Sequence, residues 1–292
     1  MIISRRKIWY TISLVMLLVG FVSLAFQGIN WGIDFTGGNV LQIQFTREVT
    51  TSQLNDFFEA RGLSGFSVQK VATENEFVIR TGELGELENK EVLVAFQEEF
   101  GEMEVHRNEK IGAVIGQELA LNALYALAIA AVLMIIYISF RFELTFGLAA
   151  VSALIHDVLV TIGIFSLLQM EVDSAFVAAL LTIIGYSINN TIVIFDRVRE
   201  NLGLMKKFTL EKIVDTSVRQ TIVRSINTSL TVTFALVALL VLGGETTKVF
   251  ALALLIGTIV GTYSSVCVAP SLWYNLKTKL GEKKAFKHAS SH

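Results

Sequence analysis

Six apolar runs leave this chain few folds to choose from: Ile8–Phe26, Ala120–Ile138, Leu144–Leu168, Phe176–Phe195, Ser225–Leu242 and Val249–Trp273. Each is close to the roughly 20 residues a helix needs to cross a hydrocarbon core about 30 Å thick. Helices are the natural form there, because lipid offers no partner for a bare backbone N–H or C=O. The chain is 53% hydrophobic with one proline in 292 residues. That composition predicts a polytopic α-helical membrane protein of six transmembrane helices, set in a lipid bilayer. The first run follows Arg5, Arg6 and Lys7 and exceeds the usual signal-peptide core, so it reads as an uncleaved anchor.

The same residues argue against several functions. Cys267 is the single cysteine, which leaves no disulfide framework and no zinc cluster. No basic patch with interleaved aromatics points to nucleic acid. No nucleophile–base pair and no phosphate loop is present. The expectation is a protein that is not an enzyme and has no resident cofactor or metal.

Lysine and arginine set the expected topology. Arg5, Arg6 and Lys7 place the N-terminus in the cytoplasm, and Lys277, Lys279, Lys283, Lys284 and Lys287 place the C-terminus there too. Arg197, Arg199, Lys206, Lys207, Lys212 and Arg219 mark the link after the fourth run as cytoplasmic. The links at Gln169–Asp173 and Gly243–Lys248 carry only Lys248. The expected organisation is a tail and first helix at 1–28, an extracytoplasmic α+β domain at 29–115, and a five-helix bundle at 116–274. That bundle contains a cytoplasmic loop at 196–222, and a basic tail follows at 275–292. Leu204, Phe208, Leu210, Ile213 and Val214 predict a short interfacial helix within the loop.

The acidic segment from Asp34 to Lys110 alternates strand and helix signals. Val40–Phe45 has the period of two of a half-buried strand, and Thr51–Arg61 the spacing of an amphipathic helix. Phe66–Val71 and Phe77–Arg80 read as a hairpin across Thr73-Glu74-Asn75. Leu87–Phe100 reads as a second helix, and Glu102–His106 as a closing strand. The order β-α-β-β-α-β predicts a small ferredoxin-like α+β domain.

Polar side chains inside the apolar runs carry the functional signal. Tyr186, Ser187, Asn189, Asn190 and Thr191 interrupt the fourth run, and Arg224 opens the fifth. Such groups are costly in hydrocarbon and mark either ion handling or hydrogen-bonded helix packing. From Arg224, the residues Asn227, Thr228 and Thr231 fall on one helical face and predict a polar seam toward Asn190. Asp157, beside His156, lies near the middle of the third run as a second candidate for ion coupling. Gly257, Gly261 and Ser265 form a small-residue face read as packing alone. Asp196 and Arg197 read as interfacial salt-bridge formers.

One string is distinctive beyond composition. Trp31-Gly32-Ile33-Asp34-Phe35-Thr36-Gly37-Gly38 resembles the signature of the SecD/SecF family of protein-export membrane proteins, of the resistance-nodulation-division superfamily. Further matches run in order: Gly116-Gln117-Glu118-Leu119, Tyr137 to Glu143, Ala153-Leu154-Ile155-His156-Asp157, Gly185-Tyr186-Ser187-Ile188-Asn189, and Phe195 to Glu200. Size, six spans and a single outer domain resemble the SecF branch of that family. The resemblance implies an auxiliary subunit of the Sec translocon in the bacterial cytoplasmic membrane. Its implied partners are SecD, SecYEG with YajC and SecA, and a translocating preprotein. It also implies use of an H+ or Na+ gradient to assist export on the outer side.

The resemblance also exposes a departure. In proton-coupled members the fourth-span pattern ends in an Asp that works with an Arg of the fifth span. The matching positions here are Asn190 and Arg224, and an amide does not titrate. Three explanations stand: coupling to Na+, coupling to protons through a carboxylate of SecD or Asp157, or a deliberate Asp→Asn replacement that traps one state. Ala113 stands where the family often has Pro. Two other functions remain open from the sequence: a small-molecule or lipid exporter of the same superfamily, and a scaffold that does not transport.

Overall fold

The computed structural model describes residues 2–62, 66–71, 75–141, 143–243 and 245–289. Thr73, Glu74 and Phe142, which figured in the expected hairpin turn and in one motif, lie outside the described residues. Two compact units divide the chain, Trp31–Tyr125 and the remainder, Met1–Asn30 with Ala126–His292.

The smaller unit is an α+β fold. After α1 (Arg6–Phe26), which belongs to the other unit, the short α2 (Ile33–Thr36) leads into β1 (Gly38–Phe45). Then follow α3 (Thr51–Ala60), β2 (Ser67–Lys70), β3 (Glu76–Thr81), α4 (Glu86–Phe100) and β4 (Met103–Ile111). The sheet order is β2-β3-β1-β4 with every neighbour antiparallel, the ferredoxin-like arrangement. Thr50 and Gln53 form a capping box that starts α3. Alternation along β1 sends Leu41, Ile43 and Phe45 into a core with Phe57, Phe58, Phe77, Phe96 and Phe100. Phe57 and Phe96 stack there at 4.6 Å.

The paired glycines of the distinctive string have a steric cause. Gly37 (φ 71°) and Gly38 (φ 116°) adopt conformations that strain any other residue. A Cβ on Gly37 would stand 2.6 Å from the Cα of Ala113, and one on Gly38 would overlap the Thr81 carbonyl. Gly32 caps α2, and Trp31 meets Phe35 edge-on at 5.9 Å. Asp34 lies in the first turn of α2.

Among the described residues, six helices are long and apolar enough to cross a membrane. After α1 come α5 (Ala113–Arg141), α6 (Leu144–Leu167), α7 (Ser174–Leu204) and α8 (Leu210–Leu242). The sixth span is one rod built of α9 (Glu245–Tyr263), a wide π-type stretch at Ser264–Val268, and α10 (Ala269–Ala289). Gly20 and Gly163 bring α1 and α6 into backbone contact, and Ser23 and Ser166 share a 2.9 Å hydrogen bond beside them. Trp273, fully buried, stacks on Phe146 at 4.5 Å and donates to Thr145 Oγ1 at 3.2 Å.

Two expected segments turn out to be helical. The 196–222 loop is not a loop: α7 runs 31 residues to Leu204 and α8 runs 33 residues from Leu210. Of the residues expected in a separate interfacial helix, Leu204 ends α7 and Leu210, Ile213 and Val214 lie in α8, while Phe208 sits in the turn between the two rods. Asn201 Nδ2 donates to Ser217 Oγ at 2.8 Å, and Arg197 to Gln220 Oε1 at 2.6 Å, so the polar extensions hold each other. The tail from 275 continues α10 as helix to Ala289. The last strand of the α+β fold ends at Ile111, and α5 starts at Ala113; the compact unit that holds the fold runs on to Tyr125 within that helix.

Candidate functional site

The most buried carboxylate of the membrane unit is Asp157 on α6, with no exposed surface. Three helical elements supply its partners. Ser187 of α7 donates to Oδ2 at 2.6 Å, and Ser264 of the wide stretch donates to the same oxygen at 2.7 Å. His156 Nδ1 lies 3.0 Å from Oδ1. Ser265 extends the cluster by donating to the Ser187 carbonyl at 3.2 Å and sharing a 2.8 Å bond with Thr191. An unpartnered carboxylate at this depth would be very costly, and these donors spread its charge.

Small residues make the convergence possible. A Cβ on Gly257 would overlap Ile183, and one on Gly261 would stand 3.1 Å from Ser187 Cβ and 3.6 Å from Asp157 Oδ2. The wide stretch then turns Ser264 and Ser265 inward at the point of closest approach. Ser265 therefore does more than the packing its spacing implied.

A second polar chain crosses α7, α8 and α9. Tyr186 donates to Ser229 at 2.9 Å, and Ser229 shares a 2.6 Å bond with Thr262. Sequence reasoning missed Ser229, Thr262 and Ser264. Each is a small hydroxyl in an apolar run, and the only hint was that Thr262 and Ser264 follow closely on the glycines at 257 and 261.

Asn190 is 4% exposed, and its Nδ2 has no hydrogen-bond partner among the described residues. Arg224 is exposed, and no hydrogen bond or ion pair joins its side chain to a described residue. The expected polar seam is corrected accordingly. Asn189, Asn227 and Thr231 are exposed, and Thr228 and Thr231 bond back to carbonyls of their own helix, at Arg224 and Thr228. This face looks out of the bundle and not toward Asn190. Its azimuth follows from neighbours: Ser225, one residue and about 100° further round, is buried. Asp196 pairs with Arg199 at 3.0 Å and Arg141 at 3.4 Å, and Arg197 pairs with Glu200 at 2.6 Å.

Against known families, the description "Protein export membrane protein SecD/SecF, C-terminal" matches residues 91–279, well over half the chain. The chain belongs to the SecD/SecF family. The "SecD/SecF GG Motif" matches residues 22–49, which contain the glycine pair at 37 and 38. The chain is 42% identical to protein translocase subunit SecF of Sebaldella termitidis, over 94% of this chain and 91% of that one. It is 38% identical to SecDF of Bacillus subtilis, over 92% of this chain but 37% of that protein. Among solved structures it resembles SecDF from Thermus thermophilus, described as a translocon-associated membrane protein. That match has a TM-score of 0.87 and 35% identity, over 94% of this chain and 38% of that one. In the two SecDF proteins, one polypeptide thus carries a SecD/SecF region of this kind together with a longer remainder.

Proposed function

We propose that this chain is the SecF-type subunit of a SecD–SecF pair that uses an ion gradient to assist protein export across the bacterial cytoplasmic membrane. The observation that carries this reading is Asp157, a fully buried carboxylate clamped by hydroxyls from two other membrane elements. Intramembrane ionisable groups of this kind mark ion pathways far more often than they serve packing. The single-chain SecDF relative supports SecD as the partner. So does the exposed face with Arg224, Asn227 and Thr231, which lipid would not solvate and a neighbouring polar helix would.

The charge pattern favours cytoplasmic N- and C-termini, which puts the Trp31–Tyr125 unit on the outer side. There it would meet the preprotein as it leaves SecYEG, with SecA, and YajC where present, completing the assembly. The subunit makes and breaks no covalent bond in this reading, and the ion that moves, H+ or Na+, is cargo. Occupancy of the polar core would shift helix packing, and the junction around Trp31–Gly38 would pass that shift to the α+β unit.

The test is preprotein export into proteoliposomes holding SecYEG, SecD and this chain, with proton and Na+ gradients imposed separately. Stimulation by one gradient, lost when it is collapsed, is the expected result. Export indifferent to both gradients would leave only a scaffold.

A further inference from the structure

The His156–Asp157 pair carries a sharper conclusion, which rests on the ion-driven reading above. Its side chains are 7% and 0% exposed, and Nδ1 and Oδ1 stand 3.0 Å apart. Among the described residues no Lys or Arg pairs with Asp157. The other titratable groups nearby are Tyr263, its ring centroid 6.2 Å from the imidazole, and Cys267 one turn further on. Both are ordinarily neutral near pH 7. Tyr263 is committed elsewhere: its hydroxyl donates to the Trp9 carbonyl at 2.7 Å and meets Ser13 at 3.2 Å. The elements facing the pair from α7 and the wide stretch bring Ser187 and Ser264, which carry no charge.

With a neutral imidazole and an ionised carboxylate, the cluster would hold one uncompensated negative charge away from water. One cation removes it. A metal ion the size of Ca2+ or Na+ holds each ligand oxygen about 2.4 Å away, so that its ligands stand roughly 3 Å or more apart. Oδ2 is only 2.6 and 2.7 Å from the two serine oxygens, which is hydrogen-bond spacing with no room for an ion between them. A proton needs no such room.

We propose that His156 and Asp157 form the proton-binding site of the membrane unit, a pair bridged by a hydrogen between Nδ1 and Oδ1 that together holds one further, exchangeable proton. On arrival the proton takes the site from a charge of −1 to 0. The loaded pair is either a carboxylic acid whose Oδ1–H donates to Nδ1 or an imidazolium whose Nδ1–H donates to the carboxylate. In both forms Nε2 carries a hydrogen; when the proton leaves, Nδ1–H remains and Nε2 becomes an acceptor. That nitrogen is buried and has no partner among the described residues, so its change of role reports directly on occupancy. Ser187 and Ser264 act as positioning residues that fix the carboxylate. Asn190, which cannot titrate, is not the proton carrier.

The experiment uses the full chain, co-purified with its SecD partner and reconstituted in lipid. Infrared difference spectra between acid and alkaline buffer, in H2O and D2O, read the carboxyl, and 15N spectra of labelled histidine read Nε2. Expected are an exchangeable signal that Asp157→Asn removes and an Nε2 that switches between donor and acceptor with pH. Ser264→Ala should shift the Asp157 band, the C=O stretch of the acid or the stretch of the carboxylate, because one hydrogen bond to it is gone. A signal that survives Asp157→Asn, is unmoved by Ser264→Ala, or is displaced by saturating Na+ overturns the proposal. Should Asp157→Asn fail to co-purify, Ser264→Ala and the histidine spectra decide it. Proton-driven export should fall at least tenfold in Asp157→Asn. Wild-type export that ignores every gradient would sink the ion-driven reading while the spectra still judge the site.

Discussion

Gly20 and Gly163 let α1 and α6 meet backbone to backbone, since a Cβ on Gly163 would stand 2.6 Å from the Cα of Gly20. Backbone cannot rotate away as a side-chain tip can. Gly163→Leu should therefore part the two helices, break the Ser23–Ser166 bond and cost about 1–3 kcal/mol, read as a lower melting temperature in lipid or detergent. In the α+β unit, Phe96 touches Phe45, Phe57, Phe58 and Phe100 with no exposed surface. Phe96→Ala should cost roughly 3–5 kcal/mol, read as faster proteolysis within Trp31–Tyr125. Residues like Phe96 were legible from alternation and helical spacing. Arg224 was legible in depth but not in direction, because which way it faces is decided by the packing of α8 on α7 and α9. Ser264 was not legible at all: a serine in an apolar run looks the same whether it bonds its own backbone or a carboxylate on another helix.

Among the elements, the six spans could be read because lipid demands long, unbroken apolar helices and little else in the sequence resembles them. The ends of α7 and α8 could not, because beyond the membrane the apolar signal stops while the helix continues on polar contacts between the two rods. The same stem secures the start of the chain. Asp215 Oδ1 accepts from the backbone N–H of Ile2 at 2.7 Å and of Ile3 at 3.0 Å, and so caps the short turn Ile3–Arg5 ahead of α1. Losing a comparable helix cap costs about 0.5–2 kcal/mol. Asp215→Ala should accordingly speed hydrogen exchange at the Ile3 amide by up to about thirtyfold, with exchange in α6 unchanged.

For the whole molecule, the partner question has a direct handle. The Arg224 side chain makes no hydrogen bond or ion pair with a described residue of its own subunit, so Arg224→Leu should leave the stability of the isolated chain within about 0.5 kcal/mol of wild type. It should at the same time reduce recovery of the SecD complex. Unchanged recovery would show that this face meets lipid. A covalent tether between the two compact units should abolish gradient-stimulated export if the units must move, and release of the tether should restore it. The sixth span has a further consequence. Above Ser264–Val268 it is keyed to α7 by Gly257 and Gly261, and below it is keyed to α6 by Trp273. The wide stretch acts as a phase shifter between two gears on one shaft. Were it to tighten to ordinary helix, the lower gear would slip by roughly a third of a turn relative to the upper one. A hydrogen bond lost at Ser264 would then be felt as torque at Trp273, with neither helix needing to bend.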